Sequence, residues 1–551
     1  MNIIDRITNI TSMFPEKIAI EDNKKNEITY STLLRKADIF ARFLCEKNVV
    51  RNDVIMLITQ KRIEMIACVL GIIKAGATYL IVDSTTPRDK IQFFIEDSKP
   101  KVIFSDENCA ISDKTYDMVK IYNKQYGRKI KCNRVGEDAM YVVYTSGSNG
   151  KQKGVVVEDR NIGNYISSFI KYFKINASDC MIQQSPLYYD GFAEEVFSML
   201  CSGGKIIIPQ GVKSYNYRLI SKIIDEHKVT IVSTAPLILN ELNKMHKFKT
   251  VRTFISSGDV LLNNNIDNII KYADVYNMYG TTETTVCATV YKCKKNMHDI
   301  PIGKPLEGYT VNIKNKNNEI GEIVISGKGV SRGYLNISEN KERGFCIENN
   351  EKVYYTGDYG FEKNNELYIL GRRDRQIKIK ANKINLNEIE KHISQMKSVS
   401  KVACVCKKNN MGENSVVVYF ASQSLSEKNV EEYCKRMIPD YINPLIIIKV
   451  EEVPITDTGK INYLELEQRD DLNEMELSVD DICKMIVRRI SNEEKSEIDL
   501  ELQLESLDFM RLVVELEDRF NIEFEDGYLD HEKFETIEDV CKYIMEKINE
   551  Q

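Results

Sequence analysis

The chain predicts an α/β multidomain protein: a large body of layered sheets with helices, a small α+β block, and a four-helix tail. Three observations carry that reading. Its 551 residues exceed one ordinary domain and suit three or four, at roughly 100–200 residues each. Short apolar runs alternate with amphipathic stretches along most of the length, as βα units feeding a partly parallel sheet do. The charge also divides unevenly. Residues 481–551 hold 21 acidic and 9 basic side chains, a net of −12, which leaves +6 for residues 1–480.

Taken in order, strand candidates at 54–58, 77–82 and 101–105 alternate with helix candidates at 32–47 and 61–74. Further strands follow at 140–145, 205–209, 228–234, 251–256, 273–277, 322–326 and 366–370, with helices at 160–173 and 194–201. The character changes at Gly371-Arg-Arg-Asp-Arg375. Beyond it lie strands at 376–380, 402–406, 415–420 and 445–450, and helices at 386–396 and 428–437. The charged stretch 465–480 reads as a linker. Amphipathic helices then run over 481–490, 507–520 and 537–548, where Leu507, Met510, Val513, Val514 and Leu516 follow helical spacing and predict core packing. The boundaries drawn are 1–373 for the body, 374–465 for the smaller block, 466–480 for the linker and 481–551 for the tail.

Composition excludes several classes. Only 11 Pro and 27 Gly argue against a long disordered tract or a repeat polymer. The first residues lack the basic and apolar regions of a secretion signal, and the most apolar stretch, 65–76, is too short to cross a bilayer. A cytoplasmic protein without membrane contact is expected. The 14 cysteines include no CxxC pair and stand beside only five histidines, so no grouped zinc ligands are visible. Cys68, Cys201 and Cys287 sit in apolar runs and read as buried thiols. No stretch is basic enough for a nucleic-acid footprint. The acidic tail reads instead as a protein-docking surface, because complementary fields guide encounter.

The sharpest segment is Tyr144-Thr-Ser-Gly-Ser-Asn-Gly-Lys-Gln-Lys-Gly154, between an apolar strand and three valines. Its glycines keep the backbone open, so that N–H groups and hydroxyls can wrap phosphate oxygens. It is not GxxxxGK[ST], because Gln152 takes the Ser/Thr position. A plain Gly/Ser turn is the alternative use of such residues.

This segment resembles the phosphate loop of the adenylate-forming superfamily, and the resemblance continues in order. Lys74-Ala-Gly-Ala-Thr-Tyr-Leu-Ile-Val-Asp83 is similar to an early motif of amino-acid adenylation domains. Asn277-Met-Tyr-Gly-Thr-Thr-Glu283 resembles the family's aromatic–Gly–Pro–Thr–Glu turn, with Thr281 in place of proline. Gly321-Glu-Ile-Val-Ile-Ser-Gly327, Ser331-Arg-Gly-Tyr334, Tyr355-Thr-Gly-Asp358, Gly371-Arg-Arg-Asp374 and Pro454-Ile-Thr-Asp-Thr-Gly-Lys460 complete the set, which covers 10–465. The tail resembles a phosphopantetheine carrier domain through Leu504-Glu-Ser-Leu-Asp-Phe509, with Glu505 where the family usually has aspartate.

The resemblance implies the chemistry. ATP would lie on Thr145, Ser146, Gly147, Ser148, Asn149, Gly150 and Lys151, with Lys153 beside them. Tyr279 would stack on adenine with Gly280 next to it, and Thr282 and Glu283 would face the phosphates, Glu283 near Mg²⁺. Asp358 would grip the ribose hydroxyls, helped by Arg372, as a carboxylate can accept both diol hydrogens. Lys460 would sit against the substrate carboxylate and α-phosphate, a cation where charge develops. Thr145, Lys153, Glu283 and Lys460 are the catalytic candidates. Asp374 would be the hinge on which the small block swings between two half-reactions. Ala381 stands where the family has glycine, and Asn382, Lys383 and Asn385 also depart from it. Ser506 would carry 4′-phosphopantetheine at a helix start, although a serine there is otherwise an ordinary N-cap.

The implied substrate pocket is Asp190, Gly191, Glu194, Ser233, Ile255, Ser257, Met278, Val286 and Cys287. Asp190 would hold an α-ammonium, which points to an amino acid. Glu194 is the informative member: a buried carboxylate is costly unless paired, and a side-chain ammonium would pair it. The set is similar to lysine-activating pockets, with ornithine or another diamino acid open because Met278 and Cys287 are bulkier. Against this stands a Glu194 that starts a helix and faces solvent. The whole implies amino-acid activation with ATP and Mg²⁺, then thioester loading at Ser506 after a phosphopantetheinyl transferase has acted. A separate condensing, modifying or transfer enzyme would dock on the acidic tail. An acyl-CoA or acyl-carrier ligase for a non-amino acid is the alternative. A scaffold that has lost turnover would be expected to lack Lys460, Glu283 or the phosphate loop.

Overall fold

In the computed structural model, the described residues are 2–106, 112–125, 130–146, 152–212, 216–295, 297, 299–317, 320–336, 344–372, 375–379, 382–408, 414–437, 445–456 and 460–469, and in the tail 509, 512–513, 516–517, 524–525, 533–534 and 536–550. The chain forms two compact units, 1–466 and 467–551.

Among the described residues the first unit holds two large sheets. In the nine-stranded sheet, strands Asp274–Tyr279, Thr253–Ser257, Ile231–Thr234, Cys180–Ile182, Lys205–Ile208 and Ile18–Asp22 lie parallel in that spatial order. In the seven-stranded sheet, Ala139–Ser146, Thr78–Asp83, Val54–Thr59 and Val102–Ser105 are parallel neighbours. Val54–Thr59, Thr78–Asp83 and Lys205–Ile208 are apolar along most of their length and buried on both faces, as parallel sheets require. Helices Tyr30–Glu46, Ile63–Lys74, Asp159–Phe173 and Gly191–Leu200 supply the covering. In Asp159–Phe173, Ile162, Tyr165, Ile166 and Phe169 repeat at helical spacing and all are fully buried.

Cys68, Cys201 and Cys287 are buried free thiols. A five-stranded antiparallel sheet built on Ile320–Gly327 and Glu351–Lys363 stands beside these layers. The smaller block packs helices Leu386–Ser394 and Glu427–Met437 on strands Val399–Lys408, Asn414–Ser422 and Leu445–Val450. Helix Tyr463–Gln468, pinned by the fully buried Leu466, runs through the position where a linker was expected to begin.

In the second unit, Phe509, Leu512, Val513 and Leu516 are helical and buried, one face at i, i+3, i+4 and i+7. They share a core with Phe524, Phe534, Tyr543 and Ile544, in which the rings of Phe524 and Tyr543 lie 4.9 Å apart. Of the stripe expected there, Val513 and Leu516 are buried, while 507, 510 and 514 lie outside the described residues. Helix Ile537–Glu550 closes the unit. Among the described residues no helix is long and apolar enough to cross a membrane.

Candidate active site

A cleft of about 2350 Å³ opens in the first unit, lined from both large sheets, the antiparallel sheet and the smaller block. The edge that bears the phosphate-loop motif is a hairpin: Ala139–Ser146 pairs with Gln152–Glu158, setting Thr145 opposite Lys153 and Ser146 opposite Gln152. Thr145 and Lys153 line the cleft. Gly147, Ser148, Asn149, Gly150 and Lys151 lie outside the described residues, as do Asp374, Ala381 and Ser506.

The Lys153 ammonium rests 5.2 Å from the ring centre of Tyr334, whose hydroxyl donates to Glu283 Oε1 at 2.9 Å. Glu283 sits in a one-turn 3₁₀ segment, Thr282–Thr284, after strand Asp274–Tyr279. Between them is Gly280, where a Cβ would lie 2.5 Å from the Cys287 Cα. Only glycine lets the chain double back so closely there. On the far side, Tyr279 Oη donates to Asp358 Oδ2 at 2.6 Å. The ring expected to stack on adenine is therefore tied to the carboxylate expected to hold ribose. Arg372 stands across the ladder from Asp358.

Asp190 caps helix Gly191–Leu200, so Glu194 falls one turn further on. Asp190 accepts from the Val286 N–H at 3.2 Å and from the Thr282 hydroxyl. Burial raises its pKa, opposed by these donors. Gly191 has little room to spare, since a Cβ would meet Ser185 Oγ at 2.5 Å.

Glu194 does not face solvent. It is 2% exposed and accepts from Ser233 Oγ at 2.7 Å and from the Tyr165 hydroxyl. Burial, helped by Glu195 and Asp190 and opposed by the two hydroxyls, pushes its pKa up to about 7. Ser233, Ile255, Ser257 and Met278 stand on one sheet face, because Ser233 pairs with Ile255 and Ser257 with Met278 across parallel strands. Ser233, Ser257, Met278, Val286 and Cys287 line the cleft. Ile255 differs from expectation: it is fully buried in the hydrophobic core and is not part of the lining. The resemblance alone places it in the pocket.

Lys460 enters from the smaller block, its carbonyl accepting from the Thr456 N–H at 2.7 Å while the Asn462 N–H donates to Pro454 O at 2.9 Å. Its ammonium lies 5.6 Å from the Tyr189 ring centre. Burial works to strip its proton, but Tyr189, Asp259 and Asp190 outweigh that and hold its pKa above the ordinary lysine range. Near the expected hinge, Arg375 is fixed by Glu390 at 2.7 Å, by the Cys404 carbonyl at 3.0 Å and by stacking on Tyr463.

Sequence reasoning missed three side chains behind this pocket. Tyr165 is one. The others are Glu195, fully buried, and Lys61, half-buried, both against the segment that leads to Asp190. Glu195 accepts from the N–H groups of Gln184 and Ser185, both at 3.0 Å, and from Gln183 Nε2 at 2.9 Å. Lys61 donates to the carbonyls of Gln184 at 2.8 Å and Gln183 at 3.2 Å. Burial pushes Glu195 up to about 7 and pulls Lys61 down to about 8, each opposed by the other's charge.

A model of the AMP-binding enzyme family matches residues 8–335. The chain belongs to that family. A model of the phosphopantetheine attachment site matches residues 483–544, so an adenylation domain is followed by a carrier region. Bacitracin synthase 2 of Bacillus licheniformis is 34% identical over 461 residues, which is 81% of this chain and 18% of that protein. Zwittermicin A synthase ZmaJ of Bacillus cereus is 28% identical over 480 residues, 81% of this chain and 91% of that one. The chain thus spans less than a fifth of the length of the bacitracin synthase. A solved four-domain nonribosomal peptide synthetase bound to AMP and glycine shares the fold with TM-score 0.76 at 21% identity, over 99% of this chain and 43% of that one.

AMP-binding enzymes of this kind are adenylating ligases, and their chemistry uses ATP and Mg²⁺. The donor set here fits both. Asp358 and Tyr279 suit a diol and a ring, Lys153 and Lys460 suit phosphate oxygens, and Glu283 keeps lone pairs beyond the one that Tyr334 uses.

Proposed function

We propose that the chain activates a diamino acid, best matched by lysine, as its aminoacyl-AMP. It then passes the aminoacyl group as a thioester to a phosphopantetheine arm on Ser506, from which a separate condensing, modifying or transfer enzyme takes it. The observation that carries this reading is the pair of buried carboxylates, Asp190 and Glu194, one helical turn apart in a cleft that also receives Lys460.

In this reading Asp190 holds the α-ammonium and Glu194 the side-chain ammonium. The substrate carboxylate then turns toward Lys460. A carboxylate oxygen bonds to the α-phosphorus of ATP while the bond to the bridging oxygen breaks and pyrophosphate leaves. Lys460 neutralises charge where it develops, the position at which a preorganised cation acts most strongly. Tyr279, Asp358 and Arg372 position the nucleoside, and Thr145, Lys153 and the loop 146–151 position the phosphates. Mg²⁺ held at Glu283 would add charge neutralisation on the phosphate oxygens. Asp374 serves as the hinge.

The test is intact-protein mass after phosphopantetheinylation by a transferase, with ATP, Mg²⁺ and single amino acids, including ornithine and both lysine enantiomers. A gain of one lysyl or ornithyl unit, lost in Ser506→Ala while adenylate formation persists, supports the proposal. A gain with neutral amino acids alone would overturn the substrate class. A gain only with non-amino acids would favour an acyl-carrier ligase.

A further inference from the structure

We infer that Tyr165, which stands outside every pocket motif, is a specificity-determining residue: with Ser233 it holds the Glu194 carboxylate as an anionic socket for a substrate side-chain ammonium. This rests on the diamino-acid reading of the pocket.

The buried face of helix Asp159–Phe173 carries Ile162, Ile166, Phe169 and Phe173 together with Asn161, Tyr165 and Ser168. Asn161 donates to the carbonyls of Lys328 and Val330 and Ser168 to that of Glu307, whereas the Tyr165 ring packs 5.7 Å from that of Phe169. Phenylalanine would fill that packing position equally well, so the hydroxyl needs its own account. It donates to one oxygen of Glu194, while Ser233, from a sheet strand on the other side, donates to the second. A carboxylate can accept about four hydrogen bonds. Two are taken by donors from two different elements, which fixes the plane of the group and leaves acceptor sites for a ligand. Both donors favour the charged form.

Tyr165 is also a dependable donor. Burial first, then the charge of Glu194, raises its pKa well above the ordinary value, so its proton stays in place at any working pH. The groups that face Glu194 are Tyr165 from its helix, Ser233 from the sheet, Cys287 beyond the 3₁₀ turn, and Asp190 and Glu195 on its own helix, with Tyr309 beside Tyr165. The two acids oppose the charge on Glu194, and burial keeps the Cys287 thiol protonated. The hydroxyls are therefore what keeps this carboxylate able to ionise near neutrality.

The experiment is ATP–pyrophosphate exchange from pH 6 to 9 with lysine, ornithine and neutral amino acids. It compares the wild type with Tyr165→Phe, Ser233→Ala, Glu194→Gln and the double variant Tyr165→Phe/Glu194→Gln. Thermal midpoints of each variant report folding. In the wild type, KM for the cationic amino acid is expected to rise about tenfold for each pH unit below the titration of Glu194. Tyr165→Phe is expected to raise that KM roughly 10- to 100-fold at pH 8, from one lost charge-assisted hydrogen bond. It should also move the midpoint of the profile to higher pH, with the loss falling on KM rather than kcat. Ser233→Ala should move it the same way. The double variant should lose little more than Glu194→Gln, because the hydroxyl's acceptor is gone. A Tyr165→Phe profile merely displaced, with its midpoint unmoved, or losses that multiply in the double variant, would overturn the inference alone. A wild type that activates only neutral amino acids, with a pH-independent KM, would overturn the substrate class and the inference together.

Discussion

Glu194→Gln separates a binding role from a structural one, because it should strengthen the empty protein while it weakens substrate binding. The carboxylate is 2% exposed and titrates at about 7 against an ordinary 4.5. At about 1.36 kcal/mol per pH unit, holding it ionised costs the folded state roughly 3 kcal/mol. The direction follows from which state binds the proton more tightly. The folded chain takes it up near pH 7 and the unfolded chain near 4.5, so the cost is full above pH 7. It falls away as the pH drops through that window and vanishes below it.

Glutamine removes the charge but leaves one amide donor less well matched to Tyr165 and Ser233, a loss of about 1 kcal/mol. The empty Glu194→Gln protein should therefore be more stable than wild type by about 2 kcal/mol at pH 8, and no more stable near pH 4.5. In the same variant, KM for a diamino acid should rise on the order of 100-fold, the worth of a buried charge-assisted contact. Thermal unfolding at the two pH values, beside pyrophosphate exchange with charged and neutral amino acids, measures both. A variant less stable at both pH values, with activity lost equally for every amino acid, would show Glu194 to be a brace for Tyr165 and Ser233 and nothing more.

Lys460→Ala should lower the rate of adenylate formation by roughly 10²- to 10³-fold, while transfer from a supplied aminoacyl-AMP to the holo carrier is retained; single-turnover mass measurement distinguishes the steps. Asp358→Asn should raise KM for ATP about 10- to 100-fold and leave KM for the amino acid nearly unchanged, because it weakens the acceptor for a diol and for the Tyr279 hydroxyl. Gly191→Ala should raise KM for the amino acid several-fold, since its Cβ would meet Ser185 Oγ at 2.5 Å and the loop toward Asp190 must shift, at a cost of roughly 1–3 kcal/mol. Adding Ser185→Ala should recover most of that loss in the same exchange assay.

The legible parts of the site are those encoded in short stretches of chain. The hairpin that sets Thr145 opposite Lys153 follows from local turn chemistry, and Lys460 and Asp190 reach the cleft from the short motifs that carry the resemblance. What stayed hidden arrives from distant elements. Tyr165 falls in a perfect helical stripe with Ile162, Ile166 and Phe169, and periodicity assigns such a residue to packing. The one available signal was a hydroxyl on a ring that packs among Ile162, Ile166 and Phe169. Glu195 is a second acid next to Glu194 in sequence, and only the packing of the two large sheets brings Lys61 from one and the 183–185 backbone from the other to it. Ile255 shows the converse limit. The resemblance assigned it to the pocket, but whether a residue reaches the cleft is set by the strands and helices packed around it, not by its own position in a motif.

The charges of the pocket also argue for two ammonium groups on the substrate. Three acids, Asp190, Glu194 and Glu195, lie buried within six residues at the start of one helix. The helix N-terminus favours negative charge there, but only by about 0.3–1 kcal/mol in ordinary settings, far too little for three ionised carboxylates. Glu195 has its own answer in Lys61 and three N–H donors. Lys460 is matched by the carboxylate that it would help activate. Among the described residues that leaves Asp190 and Glu194 with hydroxyl and amide donors and no ion pair of their own, Asp190 sensing Lys460 only at longer range, a state that burial resists by raising both pKa values. An α-amino acid with a neutral side chain would balance Asp190 and strand Glu194, whereas a diamino acid balances both. Binding the second ammonium would also pull Glu194 back toward its ordinary pKa. The diamino acid should therefore expel a proton as it binds at pH 6 to 7. Calorimetry in two buffers of different ionisation enthalpy would detect that release, and equal heats in both would refute it.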